Sequence, residues 1–156
     1  MGFSFRNIKY LFKAPVEVVA APVMEDIPRY PPFDHGLPAV SVEQLLGSQA
    51  EIIDQIRKSL AFENPADFDR YAMPVIKCYA AQIHLLPASR GTHHRGAGGL
   101  FRHGLEVALY AIKGIGANPA HFSEENQRAR RDSKPRWAFA AFVAGLLHDC
   151  AKPITD

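Results

Sequence analysis

The sequence predicts an all-α fold, and three observations carry that reading. Apolar residues recur at helical spacing after two helix-start signals, Ser41-Val42-Glu43-Gln44 with the form of a capping box and Asn64-Pro65 with an N-cap followed by proline. The run Trp137 to Leu147 is apolar on every side, as a helix buried in a core would be. About five helices are expected in one globular domain, since 156 residues with 47% hydrophobic and 22% charged residues can enclose a core.

Residues 1–40 form a separate, extended arm in this reading. Pro15, Pro22, Pro28, Pro31, Pro32 and Pro38 break any long element, Val16 to Ala20 is at most a short strand, and Tyr30, Pro31, Pro32 and Phe33 are expected to pack on the domain as a covering segment. The helical domain then occupies residues 41–156. Leu45, Ile52, Ile53, Ile56 and Leu60 carry its first helix from Ser41 to about Ala61, weakened slightly by Gly47. Pro74 predicts a break or kink near Tyr71 to Met73, after which Val75 to Leu85 continues as helix until Pro87 ends it.

A helix from roughly Gly98 to Ile115 follows. Between Gly116 and Lys134 the chain turns polar, with Asn118-Pro119 as a turn and Ser123-Glu124-Glu125 as a short helix start. The last helix is expected over Arg136 to Asp149.

Composition excludes several classes. A net charge of +2 gives no global basic field; the one basic cluster, Arg128, Arg130, Arg131, Lys134 and Arg136, reads as a solvated face. Cys78 and Cys150 make neither a disulfide framework nor a zinc-type pair, which suits a reducing cytoplasm. The 11-residue apolar run is too short to span a bilayer, and no export signal opens the chain.

The chemistry concentrates between His93 and Asp149. His93, His94, Arg95 and His103 fall within eleven residues, interleaved with Gly96, Gly98 and Gly99, whose backbone can take positive φ and lie close to another group. Such a segment can hold a metal or a phosphate. Around the Gly98 to Ile115 helix, Phe101, Leu105, Ala108 and Ile112 share one face, and Arg102, Glu106 and Lys113 form a narrow wet stripe. His103 projects with Val107, Tyr110 and Gly114 to a third side, toward the Arg136 to Asp149 helix. A lone core histidine is commonly no more than a hydrogen-bonded residue. The His148-Asp149 pair is different, because burying an imidazole beside a carboxylate is costly without a compensating partner or metal.

His103 followed 45 residues later by His148-Asp149, in the context A-G-L-L-H-D-C-A-K-P, resembles the HD phosphohydrolase superfamily pattern. Together with L-L-P-A-S at Leu85 to Ser89, H-H-R-G-A-G-G-L-F-R-H-G-L-E-V-A and I-P-R-Y-P-P-F, it is similar to the TraI-like, MobH-type relaxases of conjugative plasmids and integrating conjugative elements, over most of the chain from about Ile27. The resemblance implies an HD-like helical bundle, and metal ligation by His103, His148 and Asp149. It makes His93 or His94 an additional ligand or phosphate contact, and places Lys152 where the superfamily often has a basic residue.

By the same resemblance the parent protein nicks one DNA strand at a transfer origin by metal-assisted transesterification, with conjugation-machinery proteins as further partners. Arg95 is the candidate for offsetting phosphate charge, with Arg102 beside it, and Tyr110 is the first tyrosine to test as nucleophile, ahead of Tyr71 and Tyr79. Imidazole with carboxylate suits Mn, Fe, Zn or Ni better than Mg. The superfamily's last Asp lies on a helix well downstream, while Asp156 is the only acidic residue after Asp149. The expectation is therefore an N-terminal fragment with an incomplete metal site and no activity of its own. Two other readings stay open: an HD-type phosphohydrolase acting on nucleotides or nucleic acid through a metal-bound hydroxide, and a non-catalytic helical docking module.

Overall fold

The first helix starts where the capping box places it. Ser41 has extended backbone, its hydroxyl accepts from the Gln44 amide at 3.2 Å, and the Gln44 side chain accepts from the Ser41 amide at 2.8 Å. The structure, a computed structural model, describes residues 29–30, 37–89, 94–117 and 127–152. In it the single helix expected from Ser41 to about Ala61 is two, α1 (Val42–Ser48) and α2 (Ala50–Leu60), interrupted at Gln49 with φ −118° and ψ 20°. Gly47, a weak helix former, lies two residues before the break. The bend lets Leu45 and the Ile53, Ile56 and Leu60 stripe of α2 reach one core.

After α2 the Asn64 side chain accepts from the Ala66 amide at 3.1 Å, capping the helical start expected at Asn64-Pro65. A single π-helical turn, Phe68–Ala72, runs directly into α3 (Met73–Ile83), which has Pro74 in its first turn. Pro74 offers no N–H to the preceding turn, so the disturbance expected near Tyr71 to Met73 takes the form of a widened turn rather than a break. Helix α3 stops at Ile83, before Pro87, because His84 turns to φ 46°. The His84 ring Nε2 lies within 3.1 Å of both the amide and the carbonyl of Val40, tying the end of α3 to the lead-in of α1.

Helices α4 (Gly99–Ala117) and α5 (Gln127–Leu147) form the most extensive pairing of the fold, with α2 packed on the other side of α4. Helix α5 starts well before Arg136 and runs through Pro135. Gln, Arg, Ala and Lys, all good helix formers, precede that proline, and Pro135 is exposed, where water can satisfy the carbonyl it leaves without a donor. Lys134 and Arg136 of the basic cluster are exposed on this helix. The apolar segment of α5 is buried on one side only. Ala138, Phe142 and Leu146 enter the core, whereas Trp137 is 54% exposed and Ala140 and Ala144 face outward.

The core gathers Ile56, Phe68, Ile76, Tyr79, Phe101, Leu105, Phe142 and Leu146 from α2 to α5 and the π turn, joined by Leu45 of α1. Burying each such side chain contributes about 1.5–3 kcal/mol. Ahead of α1, β1 (Arg29–Tyr30) pairs antiparallel with β2 (Leu37–Pro38), Arg29 opposite Pro38 and Tyr30 opposite Leu37, a two-residue ribbon in the arm expected to be extended. The expected strand at Val16 to Ala20, the packing of Pro31 to Phe33, the Asn118-Pro119 turn and the Ser123 helix start lie outside the described residues.

Candidate metal centre

Glycine sets how closely the two site-bearing helices meet. A Cβ on Gly145 would lie 2.9 Å from the Ala108 Cα and 3.1 Å from the Val107 carbonyl oxygen, so the α4 and α5 backbones touch there with only hydrogen between them. Gly104 similarly admits the Tyr79 ring, to which a Cβ would come within 2.6 Å. The Tyr79 hydroxyl donates to the Leu100 carbonyl at 3.2 Å. Burial, with the nearby Asp149 charge second, pushes its ionisation well above the ordinary tyrosine range. Tyr79 is thus a core residue.

One turn beyond Gly145, α5 ends and the chain turns sharply through His148, Asp149 and Cys150. This turn sets His148 and Asp149 against His103, which projects from α4 toward α5 as its helical position predicts. Asp149 Oδ2 is the meeting point: it lies 3.5 Å from His103 Nε2, 3.2 Å from His148 Nε2 and 2.7 Å from Lys152 Nζ. The His103 and His148 rings are 5.1 Å apart, centre to centre. Lys152 also donates to the Ala88 carbonyl at 3.0 Å, anchoring the Asp149 turn to the loop after α3.

Protonation states follow from the partners. His148 Nδ1 is 2.7 Å from the Gly145 carbonyl, which can only accept, so Nδ1 carries the proton. In the neutral ring, Nε2 then presents a lone pair to the Asp149 carboxylate. At 3.2 Å that lone pair meets an acceptor, a contact that either a proton on Nε2 or a bound cation relieves. Burial works against ionisation of Asp149, but the Lys152 ammonium, with positive charge on His148 and His103 when they are protonated, outweighs it and holds the carboxyl below its usual range. Desolvation, with His148 next, holds the His103 imidazole below its usual range in spite of Asp149.

The donor set fits a divalent metal. One ligand atom each from His103, His148 and Asp149 all lie within 4.8 Å of one another. Tetrahedral bonds of about 2.1 Å put two donors about 3.4 Å apart, which the 3.5 and 3.2 Å contacts of His103 and His148 with Asp149 Oδ2 already approach. The Gly145 carbonyl on His148 Nδ1 is the backbone partner that commonly fixes a ligating imidazole.

The other expected residues take different places. His94 sits beside the triad, its ring 5.7 Å from that of His103. Arg95 is exposed on the adjoining turn, and His93 lies outside the described residues. Tyr110 is 70% exposed, two turns beyond His103, and lines a cleft of about 240 Å³ with Gln49, Gln55, Arg102 and Glu106. The third side of α4 therefore meets α5 at His103 and opens to solvent by Tyr110 and Gly114. Sequence reasoning placed Glu106 on the wet stripe and missed its second partner: one oxygen takes the Arg102 Nε at 2.8 Å, the other the His94 Nε2 at 2.9 Å. The i, i+4 spacing to Arg102 was a visible signal; the loop partner was not.

Among the described residues, no helix is long and apolar enough to cross a membrane. No curated protein and no solved structure matches the chain. The profile of the TraI_2 family, described as "Putative helicase", matches residues 36–156, which include both site-bearing helices and the His148-Asp149 turn. The chain belongs to the TraI_2 family.

Proposed function

We propose that this domain is the N-terminal part of a conjugative relaxase that nicks one DNA strand at a transfer origin by transesterification. The observation that carries the proposal is the convergence of His103, His148 and Lys152 on one oxygen of Asp149. Family membership supports a role on DNA. A divalent cation held by His103, His148 and Asp149 would supply Lewis acidity at the scissile phosphate.

The chain's own residues supply the rest. Lys152 holds Asp149 ionised and in place, and Arg95, exposed beside His94, is free to meet phosphate oxygens with its planar fork. A hydroxyl attacks in line: its oxygen bonds to phosphorus and gives up its proton, the phosphorus–sugar oxygen bond breaks, and the released sugar oxygen takes up a proton in exchange. Tyr110 is the exposed tyrosine on the His103 side of α4, about 10 Å along the axis from it. Helical side chains lean toward the N-terminus, which brings its hydroxyl back toward the site. That remaining separation favours, as the second reading, attack by water and simple hydrolysis.

The full chain incubated with supercoiled plasmid carrying a transfer origin, in Mn2+, distinguishes these readings. A relaxase leaves nicked circles with protein covalently attached to the cut strand, and Tyr110→Phe removes the attachment. Nicked circles without attached protein would establish the hydrolase instead. No DNA binding and no cleavage would leave the docking module.

A further inference from the structure

His94 has a left-handed backbone, as do Ala61 and His84. Its φ is 53°, a left-handed conformation that strains any side chain, in a turn where glycine already stands at positions 96, 98 and 99. The turn is built tightly around it. The Ala88 amide donates to the His94 carbonyl at 3.0 Å, and a Cβ on Gly99 would collide with that same carbonyl.

The imidazole is held by a carboxylate. Glu106 Oε2 can only accept, so the 2.9 Å contact fixes the proton of neutral His94 on Nε2 and leaves Nδ1 with a lone pair. Arg102 occupies the other Glu106 oxygen at 2.8 Å and holds the carboxylate in its place. The His94 ring lies 5.7 Å from that of His103, outside the cluster of His103, His148 and Asp149 itself. An imidazole whose outer nitrogen donates to a carboxylate is the usual support of a metal-facing histidine.

We propose that Glu106 is a positioning residue for the metal centre: with Arg102 it fixes the Nε2–H tautomer of His94, so that the His94 Nδ1 lone pair serves the site formed by His103, His148 and Asp149. This rests on the metal-centre reading above. Arg102 and Glu106 also line the cleft that holds Tyr110. Glu106 itself does not reach the triad.

The test uses the full chain as wild type, Glu106→Ala, Glu106→Gln, His94→Ala and His148→Ala. Proton–nitrogen NMR of the imidazoles at pH 8, without metal, reads the tautomer directly. The wild type shows His94 as Nε2–H, Glu106→Ala shows a mixture, and Glu106→Gln, whose carbonyl oxygen still accepts, restores Nε2–H. Titration with Co2+ followed by its visible spectrum then shows affinity reduced about 10–100-fold in Glu106→Ala and in His94→Ala, with recovery in Glu106→Gln. An unchanged His94 tautomer in Glu106→Ala, or unchanged Co2+ affinity there while His148→Ala loses it, overturns the role of Glu106. Equal Co2+ behaviour of wild type and His148→Ala overturns the metal centre, and the proposal with it, whatever the tautomers show.

Discussion

At Ala108 and Gly145 the backbones of α4 and α5 touch with no side chain between them, whereas at His103 the same two elements are separated by imidazoles and a carboxylate. The first contact is apolar, close and buried; the second is polar and partly open to solvent. The pairing shows how one helix seam serves two ends. The glycine contact sets the helix separation, and the turn after Leu147 spends the remaining space on chemistry. If the cluster is the metal centre proposed here, stability and ligand geometry fall to neighbouring parts of one seam, and substitutions should separate them.

The largest effect is expected in the apolar part. Phe142→Ala removes a fully buried ring from α5 and should lower the unfolding free energy by about 3–5 kcal/mol, read by urea denaturation. Gly145→Ala tests the close contact itself. Its methyl meets backbone atoms of α4, which cannot swing aside, so a loss of about 1–3 kcal/mol is expected, together with weaker metal binding as the helices part. If Gly145→Ala weakened neither, the seam would not be setting the site. Ser41→Ala, in the distant capping box, should remove about 1 kcal/mol and leave metal binding unchanged, measured by the same melts and a Co2+ titration.

The polar part should show itself in pH dependence. The His103 imidazole titrates below its usual range in the folded protein, so on acidification the unfolded chain takes up this proton first. Its contribution is present above about pH 6.5 and is lost as pH falls through the folded value. Metal-free wild type should therefore lose stability from pH 7 to 5 more steeply than His103→Gln. Asp149, also lowered, adds a further loss below about pH 4, where its native carboxyl is protonated last, and Asp149→Asn should remove that part. Equal slopes in the variants and wild type would show that these groups titrate alike in both states.

The histidine cluster was legible because its signal is local. His103 on the α5-facing side of a helix and the adjacent His148-Asp149 pair are spacings that periodicity can read. Much of the helix plan was legible for the same reason: Ser41, Asn64 and Pro74 act within a turn of themselves. Glu106 was not, since its contact with His94 depends on how a glycine-rich loop folds back over α4. The break at Gln49 and the continuation of α5 through Pro135 were also hidden. Both are set by what the segment packs on or leaves to water, which no window of sequence contains. Likewise the all-apolar run of α5 suggested burial on every side, and Trp137 shows that an apolar surface is not yet a buried one.

Elemental analysis tests the central claim most directly: the full chain, reconstituted in turn with Mn, Fe, Zn and Ni, beside His103→Ala, His148→Ala and Asp149→Ala. Stoichiometric metal in the wild type, lost in all three variants while their helical content is kept, is the predicted result. Wild-type protein that stays free of metal with every ion, or variants that bind as much as it does, would contradict the assignment of His103, His148 and Asp149 as a metal centre.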